Sequence, residues 1–225
     1  NNVLKDINFK VEKPMKIALV GKSGCGKSTL VNLLPRFYDI TGGEIKINDV
    51  NYLEYNLESL RNNIAYVFQE PVIFHMSIMD NIKYGSNRKI SDDEVIEVCK
   101  KIGLDEKIMS LENKYETMID IYTDKISYGE KQLLNFARAI LKDSDILILE
   151  EVTSNLDLEF EQKVMKATKE VLKNKFSFII AHRLKTIKNA DLIFYIKDGR
   201  IKEMGTHDEL MSKNGYYKEL YDSKK

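Results

Sequence analysis

Nine consecutive residues, Gly21-Lys22-Ser23-Gly24-Cys25-Gly26-Lys27-Ser28-Thr29, have the types and spacing for gripping phosphate. Glycines let successive backbone N–H groups turn inward around an anion, and a helix starting at the end of the loop adds its positive dipole end. In the G-x-x-x-x-G-K-[ST] pattern Lys27 reaches the β- and γ-phosphates and Ser28 offers a hydroxyl to Mg²⁺. The flanks have the required order. An apolar run, Ile17-Ala18-Leu19-Val20, precedes the loop, and Leu30, Leu33 and Leu34 follow at helical spacing. Gln69, the pair Glu150-Glu151, and His182 also stand just after apolar runs. The ends of strands are where α/β sheets place their ligands. A lone glutamine or histidine there is usually a surface or capped residue. Adjacent glutamates are more telling, because two carboxylates need a cation or solvent.

The elements that position these groups follow from periodicity. Val3, Ile7, Phe9 and Val11 alternate and predict a strand over 3–11; Glu44-Ile45-Lys46-Ile47-Asn48 predicts another. Ile64-Ala65-Tyr66-Val67-Phe68 delivers Gln69 at its C-terminal end. Ser91-Asp92-Asp93-Glu94 is a capping box, opening a helix through Val95, Val98 and Ile102 that Gly103 stops. Residues 104–113 predict a second short helix. Helical spacing without strands over 75–140 predicts a helical lobe inserted into an α/β core. A second capping box, Ser127-Tyr128-Gly129-Glu130, opens a helix with Leu133, Leu134, Ala137, Ile140 and Leu141 on one face. Ile146-Leu147-Ile148-Leu149 is wholly apolar, as in a parallel strand buried on both faces. A helix through Val164, Ala167 and Val171 leads to the strand Phe178-Ile179-Ile180-Ala181. Two further strands form a hairpin across Asp198-Gly199, and Thr206-His207-Asp208-Glu209 caps a last helix.

Composition narrows the partners. The 225 residues carry 35 basic and 35 acidic side chains, so net charge calls for neither nucleic acid nor an anionic membrane. No apolar run approaches the ~18–20 residues of a bilayer span, so the chain is expected to be soluble by itself. Two cysteines, one in the phosphate loop, suggest a reducing compartment. Opening on Asn1-Asn2 without methionine, just before a predicted strand, the chain is expected to be part of something longer.

Taken with Ile126-Ser127-Tyr128-Gly129-Glu130-Lys131-Gln132, these residues resemble the nucleotide-binding domain of ABC transporters over nearly the whole chain. Gly21–Thr29 resembles the Walker A loop and Gln69 the Q-loop. Ser127–Gln132 resembles the signature motif, Ile146–Glu151 Walker B, Ser154-Asn155-Leu156-Asp157 the D-loop and His182 the switch histidine. All six stand in family order. Phe37-Tyr38-Asp39, Leu60-Arg61 and Asp80-Asn81-Ile82-Lys83-Tyr84-Gly85 resemble the multidrug-resistance type of exporter. The signature and the residues after it are most similar to eukaryotic mitochondrial and heavy-metal-tolerance half-transporters.

The resemblance implies an α/β P-loop NTPase fold with a mainly parallel sheet, N-terminal antiparallel strands and a helical subdomain. The core would take roughly 1–72 and 142–225, the helical subdomain roughly 73–141, and a transmembrane domain would lie upstream. It implies ATP and Mg²⁺ as ligands. Gly21, Ser23, Gly24, Cys25, Gly26, Lys27, Ser28 and Thr29 would hold ATP from one side, and Ser127, Gly129 and Glu130 would approach it from a second domain arranged head to tail. Glu151 would polarise the attacking water, His182 would contact the γ-phosphate, and Gln69 would sense the metal; Ser28, Gln69 and Glu150 would support Mg²⁺. The implied partners are a second nucleotide-binding domain, identical or not, and the membrane-spanning domain of the same transporter, with no nucleic acid. The domain would sit on the cytosolic, or matrix-like, face of a membrane.

Three departures from the family pattern matter. Walker B ends Glu150-Glu151 where the family has Asp-Glu, which places the metal-supporting carboxylate one methylene further out. Tyr128 replaces the first signature glycine, and its phenol would either meet the partner's nucleotide or swing away as an added contact. Asp120-Ile121-Tyr122-Thr123 stands where exporters carry Gly-Glu-Arg-Gly. These leave two alternatives besides a working exporter ATPase. One is a regulatory domain that binds ATP with slow or no hydrolysis. The other, a soluble ABC ATPase of the repair or translation kind, fits less well. Gln69 and Ser127 are too close in sequence for the long coiled coil of the repair members, and no basic stripe appears.

Overall fold

Apolar runs without alternation become the interior strands. The computed structural model describes residues 3–150, 158–181 and 183–223. In chain order the elements are β1 (Lys16–Val20), α1 (Lys27–Leu33), β2 (Lys46–Ile47), β3 (Val50–Asn51), α2 (Leu57–Asn62), β4 (Ile64–Val67), β5 (Met76–Ser77) and α3 (Ile78–Lys83). Next come α4 (Asp92–Ile102), α5 (Asp105–Met109), β6 (Met118–Ile119), α6 (Tyr128–Leu141), β7 (Ile146–Glu150) and α7 (Leu158–Val171). The last are β8 (Phe176–Ile180), α8 (Leu184–Lys188), β9 (Leu192–Lys197), β10 (Arg200–Gly205), α9 (His207–Ser212) and α10 (Tyr216–Asp222). They gather into two units, one from Asn1–Ile64, Asp145–Glu151 and Asn174–Lys225, the other from Ala65–Ser144 and Val152–Lys173.

In the first unit the strands stand in the order β10-β9-β1-β8-β7. β1 pairs in parallel with β8 and β9, β7 pairs in parallel with β8, and β10 returns antiparallel to β9. Ile17, Ala18 and Leu19 of β1 and Leu147 and Ile148 of β7 are fully buried, which explains why neither run alternates. The β9–β10 turn uses Asp198 and Gly199, both at positive φ, as a two-residue hairpin requires. β2 and β3 form a separate antiparallel pair only two residues long, shorter than the strand predicted over 44–48.

Residues 3–11 are not a strand. Lys5 N–H donates to Gly199 O at 2.8 Å, but Asp6 then turns to φ 50°, breaking the extended run after one bond. Asp6 is instead held by an ion pair with Arg200. The alternation reflects packing without a ladder: Phe9 lies against Phe178 and Phe194, with ring centroids 6.2 and 4.9 Å away. The opening segment is wedged against its neighbours. A Cβ on Gly199 would stand 2.0 Å from Val3 O, and one on Gly26 would stand 2.8 Å from Leu4 Cδ2.

Beyond β4 the second unit is helical except for one pairing the periodicity did not reveal. β5 and β6 pair through two residues each, Met76 with Ile119 and Ser77 with Met118. So short a ladder leaves no alternation to read. Ser77 also caps α3, its hydroxyl accepting from Asp80 N–H at 3.0 Å. The capping boxes at Ser91 and Ser127 form as the sequence predicts, and Gly103 ends α4 at φ 79°. Helix α6 is the axis of the unit, burying Leu133, Leu134, Phe136 and Ala137. Thr206 closes the third capping box in the first unit, on α9. Among the described residues no helix is long and apolar enough to cross a membrane.

Candidate functional site

The loop after β1 is shaped by three glycines at positive φ: Gly21 at 146°, Gly24 at 75° and Gly26 at 107°. Gly21 has no room for a side chain, since a Cβ would stand 2.2 Å from the carbonyl oxygen of Ile196 on β9. Nothing lies within 4 Å of a Cβ on Gly24, so that position is fixed by conformation alone. Cys25 N–H closes the turn on Lys22 O at 3.3 Å, and α1 begins at Lys27.

Lys27 is only 7% exposed. Its Nζ donates to Gly21 O at 3.0 Å and Lys22 O at 2.9 Å, and a third contact reaches Cys25 Sγ at 3.7 Å. An ammonium has three donors. Two are set by carbonyls, which fixes its position, and the third rests on sulfur, a weak acceptor that a phosphate oxygen easily outcompetes. Ser23, Gly24 and Ser28 are exposed along the loop, with Thr29 half-buried behind them. This is a positive charge fixed by two carbonyls inside a glycine loop, which with the exposed Ser23 and Ser28 makes a donor set that fits a triphosphate.

Sheet register places a carboxylate at the same edge. Leu19 of β1 and Glu150 of β7 both pair with Ile180 of β8. The phosphate loop and Glu150 thus leave the same end of the parallel sheet two strands apart, ~10 Å at ordinary strand spacing. Glu150 is half-buried. Glu151 and His182 lie outside the described residues, as does Ser154–Asp157. Among the described residues no cluster of three or more His, Cys, Asp or Glu forms a metal site.

Gln69, Ser127, Gly129 and Glu130 come together in the second unit. Ser127 is the N-cap of α6, its hydroxyl accepting from Glu130 N–H at 3.3 Å, while the Glu130 carboxylate accepts from Ser127 N–H at 2.6 Å. Gly129 is buried and the Gln69 side chain exposed. The Tyr128 phenol turns back within its own chain and donates to Gln69 O at 2.9 Å. Gln132 Nε2 donates to the same oxygen at 2.5 Å. Lys131 Nζ donates to Ile121 O at 3.0 Å and Thr123 O at 2.9 Å, tying the 120–123 turn to α6.

Gln132 and Lys131 fall inside the signature-like stretch Ser127–Gln132, but sequence reasoning assigned neither a partner. A signal existed for the first. Gln132 stands one turn from Tyr128 on the same helix face, at a position buried as deeply as the apolar stripe, and a buried amide needs partners. Lys131 gave none, because a lysine on a helix is ordinarily solvated.

The ABC transporter family model matches residues 4–154. An ATP-dependent lipid A-core flippase of Pasteurella multocida is 44% identical over 218 residues, covering 97% of this chain. A putative multidrug export ATP-binding/permease protein of Bacillus subtilis is 43% identical over 220 residues, covering 98%. Among solved structures, a bacterial Atm1-family ABC exporter with ATP bound superposes with a TM-score of 0.89 at 35% identity over 98% of this chain. The chain spans 38% of the length of each of these three proteins.

Proposed function

The chain belongs to the ABC transporter family, and on that premise we propose that it is the ATP-binding and ATP-hydrolysing domain of an exporter. The observation that carries this reading is Lys27, fixed by the carbonyls of Gly21 and Lys22 inside a glycine loop at the sheet edge that also bears Glu150. Gly21, Ser23, Gly24, Cys25, Gly26, Lys27, Ser28 and Thr29 hold the triphosphate through amides, ammonium and hydroxyls. Ser28, Gln69 and Glu150 are the oxygen donors suited to Mg²⁺, which when bound neutralises phosphate charge. Glu151 orients the attacking water and His182 contacts the γ-phosphate. Ser127, Gly129 and Glu130 approach ATP held by a second such domain, and that head-to-tail closure drives a membrane-spanning domain of the same transporter. Residues 1–72 and 142–225 form the core and 73–141 the helical subdomain. The domain sits on the cytosolic or matrix-like side of the membrane.

The test is MgATP hydrolysis by the full-length protein carrying this chain, with Lys27→Ala and Glu151→Gln as controls. Hydrolysis lost in both controls supports the reading. ATP binding with turnover no greater than that of Glu151→Gln overturns hydrolysis and leaves the second reading, a regulatory ATP clamp. One observation favours that alternative. Glu150 reaches one methylene, ~1.5 Å, further than an aspartate at the same site, and a misplacement of about 1 Å can cost ~10²-fold in rate.

A further inference from the structure

The Gln69 carbonyl accepts two hydrogen bonds, and both donors belong to one turn of α6. Tyr128 Oη lies at 2.9 Å and Gln132 Nε2 at 2.5 Å. Gln132 Nε2 also reaches Tyr128 Oη at 3.4 Å, so the three groups close a small ring. A carbonyl oxygen has two lone pairs, and this one uses both. The contact spans 59 residues of sequence, joining the segment after β4 to the helix terminus that bears Ser127 and Gly129. A glycine at 128 would leave Gln69 O with the Gln132 bond alone.

Because this bond is made to backbone, it fixes where the chain runs at Gln69 while leaving the Gln69 side chain exposed. A displacement of the Gln69 backbone is passed to the first turn of α6, and the reverse holds equally. Gln132 is fully buried and cannot follow independently. Tyr128 is 44% exposed, so its ring adds little packing, and the hydroxyl is the part that determines its orientation.

We propose that Tyr128 is a positioning residue: its hydroxyl latches the first turn of α6 to the Gln69 backbone, so that Ser127 and Gly129 are presented for nucleotide contact as one piece with Gln69. The role in nucleotide contact rests on the function proposed above; the latch itself does not.

The experiment replaces Tyr128 with Phe in the full-length protein, removing one oxygen and keeping the ring. Two readouts are taken: amide hydrogen exchange over 69–72 and 128–131 without nucleotide, and the MgATP concentration dependence of hydrolysis. Loss of one net hydrogen bond predicts exchange faster by about threefold to tenfold in both segments together. The half-saturating MgATP concentration rises by a similar factor while kcat shifts less than twofold, a split that general destabilisation would not give. Exchange at wild-type rates in both segments overturns the latch, whatever the kinetics. Faster exchange with unaltered half-saturation overturns its role in presenting Ser127 and Gly129. Wild-type protein that hydrolyses no faster than Glu151→Gln overturns the hydrolytic reading instead, and the exchange measurement still decides the latch.

Discussion

Arg138 Nε donates to the backbone oxygen of Asn81 at 2.9 Å, and Arg138 Nη2 reaches Asn81 Oδ1 at 3.3 Å. Arg138 Nη1 adds Val72 O at 3.0 Å and Asn135 Oδ1 at 3.1 Å, and the guanidinium lies 5.3 Å from the Phe74 ring centroid. Asn81, fully buried, donates in turn to the carbonyls of Phe74, Met76 and Ser77. Arg138 and Asn81 together therefore hold the path from Val72 to Asn81. Burial pulls the Arg138 pKa down to about 10, which still leaves it charged at neutral pH. Arg138→Met should lower stability by about 3 kcal/mol, the cost of stranding two buried carbonyls that bonded a charged donor. Arg138→Lys should recover only part, because an ammonium lacks the planar fork. Urea unfolding midpoints check both, and a midpoint within error of wild type for Arg138→Met would refute this account.

Gly21 and Gly24 should respond differently to the same added methyl. At Gly24 only conformation is strained, so Gly24→Ala should cost about 1–2 kcal/mol. At Gly21 a Cβ would also strike the Ile196 carbonyl, so Gly21→Ala must move the β1–β9 backbone and cost more than its neighbour. Thermal denaturation of the two variants gives the order directly.

The α4 cap should be pH-sensitive in a defined window. The Arg88 guanidinium, 2.6 Å from Glu94 Oε1, and the Ser91 N–H together hold the Glu94 carboxyl at about 2, against an ordinary value of 4.5. A depressed folded-state pKa contributes stability that is fully present above about 4.5 and is lost as pH falls toward about 2. Glu94→Gln should therefore be less stable than wild type at pH 7, with the gap closing between pH 4.5 and 2. A gap constant over that window would contradict the assignment.

Thiol labelling should separate the two cysteines. Cys99 is fully buried on α4, and burial pushes its pKa up to about 12, so almost no thiolate forms near neutrality. Cys25 is half-buried in the phosphate loop. At pH 8 a chromogenic disulfide reagent should titrate one thiol in the folded protein and the second only after denaturant is added. Two fast thiols would show that Cys99 is accessible.

Glu150→Asp should raise turnover by about 10-fold or more if the extra methylene is what slows the site. The measurement is kcat at saturating MgATP in the full-length protein. An unchanged rate would show that Glu150 compensates by rotamer.

Much of this was legible because it is local. The capping boxes at Ser91, Ser127 and Thr206, the αL stop at Gly103 and the Asp198-Gly199 hairpin depend on residues within a few positions of one another. Pairings of two residues, such as Met76–Ser77 with Met118–Ile119, are set by contacts 43 and 41 positions apart and leave no periodicity. Alternation over 3–11 misled because Phe9 needs burial, which packing on Phe178 and Phe194 supplies without a ladder. For the site, residue types told which groups grip phosphate. They did not tell which way the Tyr128 phenol turns, because its acceptor is a backbone oxygen 59 residues away that carries no side-chain signature.

The opening segment, the phosphate loop and the β9–β10 turn share one narrow clearance. Val3 and Leu4 occupy it from one side, Gly26 from a second and Gly199 from a third, while Gly199 N–H donates to Cys25 O at 3.3 Å. Bulk added at either Gly26 or Gly199 would displace Val3 and Leu4. A domain graft that took the phosphate loop from a relative but left residues 3–5 or the hairpin behind would transplant the binding residues and lose the gauge that sets their height.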